Sequence, residues 1–361
     1  MFNLKTEVMK LQFRYFLFIT LIASALASCN KDEDSNVVII EGDITEPTTW
    51  YGNKIYLIEA WDLYVTSTLT IQPGTIIKFH PTKGPDLTLG GSGTIVAQGT
   101  SSDPIIFTSY KDDTYGGDTN GDGTSTQPAR KDWGAVNTNG LNGSVFEYCR
   151  FYYGGSSTWS YTLAIEAGSS ATVRNCLFAN NDGGYPGTGV LDASGASSGT
   201  VIQNNTFYSN IRPLSISTHF NLDNSNIFHN PSNSAQINQF NGIFVYSDHI
   251  SVARTWAETE VPFVIDDNDW WINNNGTLVL SNNVILKFTP GSEMVLQGGV
   301  ASISNYNGSG VYFTSIKDDA HGGDTNGDGN ITSPGNSDWG GIYNDMTSLY
   351  LTWGNILYDN H

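Results

Sequence analysis

Positive charge is what this chain has least of. Sixteen Lys and Arg stand against 35 Asp and Glu over 361 residues, a formal net charge of −19. No basic stripe is present to neutralise phosphates, which argues against a nucleic-acid partner. The excess acid suits cations, or neutral and basic partners. Cysteine is scarce: three in all, of which Cys149 and Cys176 lie in the body of the chain, and spacing alone does not say whether those two pair. Helical periodicity is hard to find beyond the N-terminal segment, and no later segment has the length and apolarity of a transmembrane helix. There is no nucleophile motif, no phosphate loop and no histidine pair at ligand spacing; the six histidines are scattered.

The N-terminus has the layout of an export signal. Lys5, Lys10 and Arg14 precede an apolar run from Phe16 to Ala27 that is too short to span a bilayer comfortably. Leu26-Ala-Ser-Cys29 resembles the lipobox of bacterial lipoproteins, in which the cysteine is lipidated and becomes the first mature residue. Asn30-Lys-Asp-Glu-Asp-Ser35 has nothing to bury and reads as a flexible tether. It resembles the acidic signal that sends lipoproteins of Bacteroidota to the outer face of the outer membrane. The expected organisation is a signal peptide over 1–28, a lipidated Cys29 with a tether over 29–48, and one long domain over 49–361.

Within that domain, short alternating β-branched and aromatic segments recur between Gly, Asn, Asp and Pro, which predicts an all-β fold. Two scales of repetition are superimposed. Lys111-Asp-Asp-Thr-Tyr-Gly-Gly-Asp-Thr-Asn-Gly-Asp-Gly123 returns 206 residues later as Lys317-Asp-Asp-Ala-His-Gly-Gly-Asp-Thr-Asn-Gly-Asp-Gly329. Each copy follows Phe-Thr-Ser and leads to Asp-Trp-Gly (Asp132 to Gly134, Asp338 to Gly340). Leu69 to Phe79 matches Leu278 to Phe288 at an offset of 209. These matches predict a duplicated module, about 49–155 and, in part, 262–361, with central coils over 156–261 between them. The second copy stops 22 residues after Trp339, so its last coil is either capped by Tyr350 to His361 or open to a partner.

The shorter repeat runs Cys149-Arg-Phe151, Cys176-Leu-Phe178, Asn205-Thr-Phe207 and Asn226-Ile-Phe228, in steps of 27, 29 and 21 residues. Polar turns follow at Asn180-Asn181, Ser209-Asn210 and Asn230. Rungs of that length, with aromatics in register, predict a parallel β-helix in which Phe151, Phe178, Phe207 and Phe228 stack.

Thr70 to Phe79, Asp103-Pro-Ile-Ile-Phe-Thr-Ser109, the acidic glycine block and Asp132-Trp-Gly134 together resemble the right-handed parallel β-helix surface lipoproteins and adhesin-like proteins of Bacteroidota. The resemblance implies a single-stranded solenoid with acidic Gly-rich loop insertions. It does not imply one activity, since the fold hosts lyases, hydrolases and passive adhesins alike.

Asp118, Asn120, Asp122 and Gly123 match the first half of an EF-hand loop, as do Asp324, Asn326, Asp328 and Gly329. The twelfth position, a bidentate Glu in an EF-hand, is Ala129 or Gly335, and no helix flanks either loop. The reading is therefore an isolated Asp-x-Asn-x-Asp-Gly turn that holds a structural Ca2+, with further oxygens from Asp112, Asp113 and Asp132, or from Asp318, Asp319 and Asp338. A hydrated acidic turn without metal is the alternative. Trp133 and Trp339 read as packing residues beneath the loops.

Catalysis finds less support. Arg130 and Lys131 adjoin the first loop, but Asn336 and Ser337 replace them in the second, so a lyase site would exist once and the metal site twice. Asp266-Asp-Asn-Asp-Trp-Trp271 is the best acidic cluster elsewhere and reads more simply as a solvated turn. Arg150 and Arg174 could face a groove or simply point outward from their strands. Tyr152, Tyr153, Trp159, Tyr161, Tyr208, Trp270 and Trp271 are candidates for sugar-stacking platforms. The expectation is a lipid-anchored, non-catalytic surface protein of the outer membrane that binds a glycan or an envelope protein. A polysaccharide lyase or hydrolase and a structural part of a surface assembly are the alternatives.

Overall fold

The computed structural model describes residues 36–81, 86–139, 142–156, 161–183, 188–246, 249–266, 269–300 and 302–361. The signal and Cys29 lie outside the described residues, as does Trp159.

The strands are three to six residues long in the main sheets, too short to fold back on themselves as a stable ribbon, and their inward residues are apolar. In Thr94–Gln98, for instance, Ile95 and Ala97 are buried while their neighbours are not. Such strands bury their faces by stacking layer on layer. Ile55–Ile58, Asp62–Val65 and Thr68–Ile71 enter a seven-, a ten- and a six-stranded sheet in turn, and Ile76–Phe79, Asp86–Leu89 and Thr94–Gln98 repeat the order one layer on. Every pairing between these layers is parallel and in register. No helix occurs among the described residues. The domain is all-β, with long parallel sheets consistent with a parallel β-helix.

The first strand is Val37–Ile40, paired with Ile55–Ile58, and Ile44 is buried against the same core. Among the described residues the coils thus reach back to Val37, ahead of the boundary expected at residue 49. The apolar Val37-Val-Ile-Ile40 run, counted with the tether, has a sheet edge to join.

Like side chains form ladders inside. Phe107, Phe151, Phe178, Phe207 and Phe228 stack with ring centroids 4.6, 4.8, 5.1 and 5.4 Å apart, so the expected aromatic column is present and extends one rung further. Cys149 and Cys176 are buried free thiols. The rungs beyond them turn to asparagine, where Asn205 Oδ1 accepts from Cys176 N and Asn226 Oδ1 from Asn205 N.

A second asparagine ladder lines the next corner. Asn181 N donates to Asn210 Oδ1 and Asn210 N to Asn238 Oδ1, while each side-chain amide donates to a strand carbonyl, Asn181 to Phe151 O, Asn210 to Phe178 O and Asn238 to Phe207 O. All three are buried. The third member is Asn238, not Asn230, because an antiparallel hairpin of His229–Asn230 and Asn233–Ile237 is inserted before the corner.

The seven-stranded sheet ends at Thr206–Tyr208, whereas the ten-stranded sheet continues to Tyr312–Ser315. From Ile243 onward the coils use the ten-stranded sheet together with a five- and a three-stranded one. At the far end, Leu349–Tyr350 turns back antiparallel on Ile342–Asn344, Ile356 bridges to Phe313 and Asp359 to Trp339. Trp353 stacks on Tyr306 at 3.8 Å. Residues 349–359 therefore lie across the last coil, the capped one of the two expected arrangements.

Candidate functional site

Two features stand out from the stacked coils: the acidic loops, and a groove beside the first of them.

Each acidic loop is built around a lysine. Lys78 lies on the outer side of its strand yet is fully buried, its ammonium donating to Asp112 O, Gly117 O and Thr119 Oγ1 at 2.8, 2.8 and 2.9 Å. Lys287 does the same for the second loop, donating to Gly323 O and Thr325 Oγ1. Burial pulls both lysines below their ordinary value, Lys287 to about 8, although the loop carboxylates oppose the shift. The base of each loop is closed by the aspartate of Asp-Trp-Gly. Asp132 accepts from Ser109 Oγ and Lys111 Nζ, both at 2.7 Å, and Asp338 from Ser315 Oγ and Lys317 Nζ at 2.8 and 2.7 Å. Trp133 stacks on Phe79 at 4.3 Å and Trp339 on Phe288 at 4.0 Å, both fully buried beneath their loops.

The glycines let the loops lie flat on the sheet. Gly116 and Gly322 have positive φ, and a Cβ there would come within 2.6 Å of Ile55 Cδ1 or 2.4 Å of Pro262 Cγ. The strands that launch the loops differ, however. Ile105–Ser109 belongs to the seven-stranded sheet and Tyr312–Ser315 to the ten-stranded one, so the two loops leave the solenoid from different sheets.

The candidate metal ligands divide. Asp112 and Asp318 are buried and turned to the strand end, accepting from Thr108 Oγ1 and Thr314 Oγ1 at 2.6 and 2.7 Å. Asp118 and Asp324 accept backbone amides of their own turns, Gly123 N and Gly329 N at 2.9 and 2.8 Å. Asn120 and Asn326 donate to Asp122 and Asp328 at 3.0 and 2.9 Å. In the second loop, oxygens of Asp319, Asp324 and Asp328 lie within 4.8 Å of one another. Asp113 Oδ1, Asp122 Oδ1 and Asp319 Oδ1 are buried without a hydrogen-bond partner. Burial, then the charge of Asp324, pushes the Asp319 carboxyl up.

The groove, about 360 Å³, runs over the outer face of the seven-stranded sheet. Its floor is the in-register row Arg150, Leu177 and Thr206, and beside it runs Tyr152, Ala179 and Tyr208. Tyr148, Asn175 and Asn204, all with positive φ at the coil corner, form one wall. Tyr115 of the acidic loop stacks on Tyr152 beside these rows, with centroids 5.4 Å apart, and Arg130 ties the loop's far end to Ser209 O, next to Tyr208. Thr100, Ser101 and Pro104 also line the groove, and the tip of the inserted hairpin, Asn230 to Ser232, closes one end.

Of the candidates, Arg150 and Tyr208 line this groove, Tyr152 stands in the row beside it, and Arg130 reaches the neighbouring Ser209 O. The structure does not bring Tyr161 or Trp270 there: Tyr161 is buried with its hydroxyl on Glu166, and Trp270 is a core residue against Trp256. Arg174 points outward and pairs with Glu147. Asp266 pairs with Arg212 at 3.6 Å on the ten-stranded sheet. Sequence reasoning misses Lys78 and Lys287, although both stand in the shared Lys-Phe ending of the two matched segments, and it misses the hairpin wall of the groove.

Comparison with protein-family models, with curated proteins and with solved structures finds no match to this chain.

Proposed function

We propose that this is a lipid-anchored surface protein, a right-handed β-helix grown from a duplicated module, that binds an extended glycan without cleaving it. The observation that carries the reading is the groove. Its tyrosines, asparagine amides and threonine hydroxyls offer the mixture of aromatic faces and neutral hydrogen-bonding groups that sugars require. The rung spacing of about 4.8 Å is close to the advance of one sugar ring along an extended chain. Among the described residues the groove lining contains no carboxylate and no histidine, which favours binding over hydrolysis at that surface. Right-handedness follows the usual sense of parallel crossover connections. Anchoring through Cys29 rests on the signal and lipobox, and the exterior face of the outer membrane on the acidic segment Asn30 to Ser35 that follows.

The test is native-gel retardation on a panel of embedded polysaccharides, with each polymer checked for shortening. Retardation with intact polymer is expected; shortening would favour a lyase or hydrolase. That second reading has its best footing at Arg212, Asp266 and Tyr246, whose hydroxyl is buried without a partner on the ten-stranded sheet.

The acidic loops complete the proposal as structural Ca2+ sites. The clustered oxygens of Asp319, Asp324 and Asp328 and the buried carboxylate oxygens without partners support it, since a divalent ion relieves such crowding. At a calcium concentration well above a weak, extracellular-type dissociation constant, binding adds about 1–3 kcal/mol. Asp122→Ala and Asp328→Ala should therefore each lower the melting temperature in calcium and change little in chelator. Equal losses in both buffers would refute the metal.

A further inference from the structure

The groove has one feature that a site for neutral sugars does not need. Arg150 lies in its floor, half-buried, on the same strand face as Tyr152, whose hydroxyl accepts from that of Tyr115 at 3.1 Å. Among the described residues no carboxylate pairs with Arg150. In a chain with 35 acidic residues against 16 basic ones, that is an unusual position. The nearby cations are accounted for: Arg174 is held by Glu147, Lys131 by Asp182, Lys111 by Asp132, and Arg130 donates to a backbone carbonyl.

A guanidinium carries five N–H donors in a fixed fork and stays charged at any working pH. No hydrogen bond within the described residues occupies that set, and partial burial removes some of the water that would otherwise serve it. The register places Leu177 and Thr206 on the two rungs beyond Arg150, with Asn175 and Asn204 along the wall. The trough therefore offers one cationic position, then apolar contact and neutral donors and acceptors, in steps of one rung.

We propose that the groove selects a glycan whose sugars carry an anionic group, carboxylate or sulfate, and that Arg150 receives that group. This rests on the glycan-binding reading above and names its ligand class. The negative surface elsewhere repels polyanions at long range, so binding is confined to this trough and weakens as salt strips the charge-assisted contact. A sulfate and a carboxylate both present paired oxygens to the fork, so the geometry serves either.

The test compares the full chain with Arg150→Gln and Arg150→Lys by retardation in gels carrying polygalacturonate, a sulfated galactan or neutral galactan. The expected result is retardation by an acidic polymer, at least tenfold weaker for Arg150→Gln, with Arg150→Lys between the two and with melting temperatures within a few degrees of the parent. Competition on the unmutated protein supplies a measurement that does not depend on the variants folding. Free galacturonate or galactose sulfate should release it, whichever of the two matches the bound polymer, and galactose should not. Retardation by neutral galactan alone, or an acidic polymer held equally by parent and Arg150→Gln, overturns the anionic ligand and leaves the glycan-binding reading standing. No retardation by any polymer overturns both.

Discussion

Asn210→Ala is expected to lower stability by about 3–5 kcal/mol, the largest loss predicted for any single polar side chain here. Asn210 is buried between two like residues and is the middle rung of its ladder. Its Oδ1 accepts from Asn181 N at 3.0 Å and from Asn181 Nδ2 at 3.2 Å; its Nδ2 donates to Phe178 O and to Asn238 Oδ1, both at 2.9 Å. Truncation strands the Asn181 amide and the Phe178 carbonyl with no water at hand, each at about 1–3 kcal/mol, and leaves a cavity at the corner. The comparison is Asn230→Ala, on the hairpin. Asn230 donates to Gln236 Oε1 and accepts from Ser232 N in a partly open setting, so its loss should be below about 1 kcal/mol. Urea midpoints of the two variants decide it. Because stacked coils can unfold in parts, the comparison belongs within one transition followed by the same probe. Equal shifts would remove the ladder from the account.

That pair of residues also shows where the sequence is legible and where it is not. The phenylalanine column can be read because Phe151, Phe178 and Phe207 recur at near-constant spacing, and an inward position on a stacked rung admits one kind of side chain over and over. The same arithmetic puts Asn230 in the corner series, and the hairpin defeats it. An insertion at a corner changes the count without disturbing the stack, so spacing identifies a rung only where no excursion intervenes.

The acidic blocks show a second limit. Their near-identity predicts the same local structure twice, and the matching contacts made by Asp132 and Asp338, by Trp133 and Trp339, and by Lys78 and Lys287 agree. Which sheet each loop leaves from is decided between residues 209 and 243, where one sheet ends and the coils adopt others. No pattern inside either block carries that information. The lysines are hidden for a related reason. A lysine at an outward strand position reads as solvated, and only the loop folded over it makes it an internal cation. The groove is a third case. Arg150 and Tyr208 are visible one at a time, but they come from the first and last of three stacked strands and share a face only through register.

Glu258 gives the second large effect, through pH. It is fully buried in the turn between Trp256 and Phe263, past the end of the seven-stranded sheet. Its Oε1 accepts from Thr259 N and Glu260 N, both at 2.9 Å, while Oε2 is buried without a partner. Burial, only partly offset by those two amides, pushes its carboxyl from 4.5 up to about 7. The folded chain therefore holds a proton that the unfolded chain has released between those values. Its contribution to stability is complete below about pH 4.5 and is lost as pH rises through about 7. Above that, the native state carries a buried carboxylate at a cost of up to about 3 kcal/mol. Glu258→Gln keeps the shape and the acceptor oxygen and removes the charge. The variant should match the parent near pH 4.5 and exceed its stability at pH 8, by as much as that cost. Parent and variant share every other group, the His229–Glu260 pair included, so the difference between them isolates Glu258. Denaturant unfolding at the two pH values is the measurement. A constant gap between parent and variant would mean that Glu258 is not carrying a proton across that range, and that its second oxygen has a partner in solution.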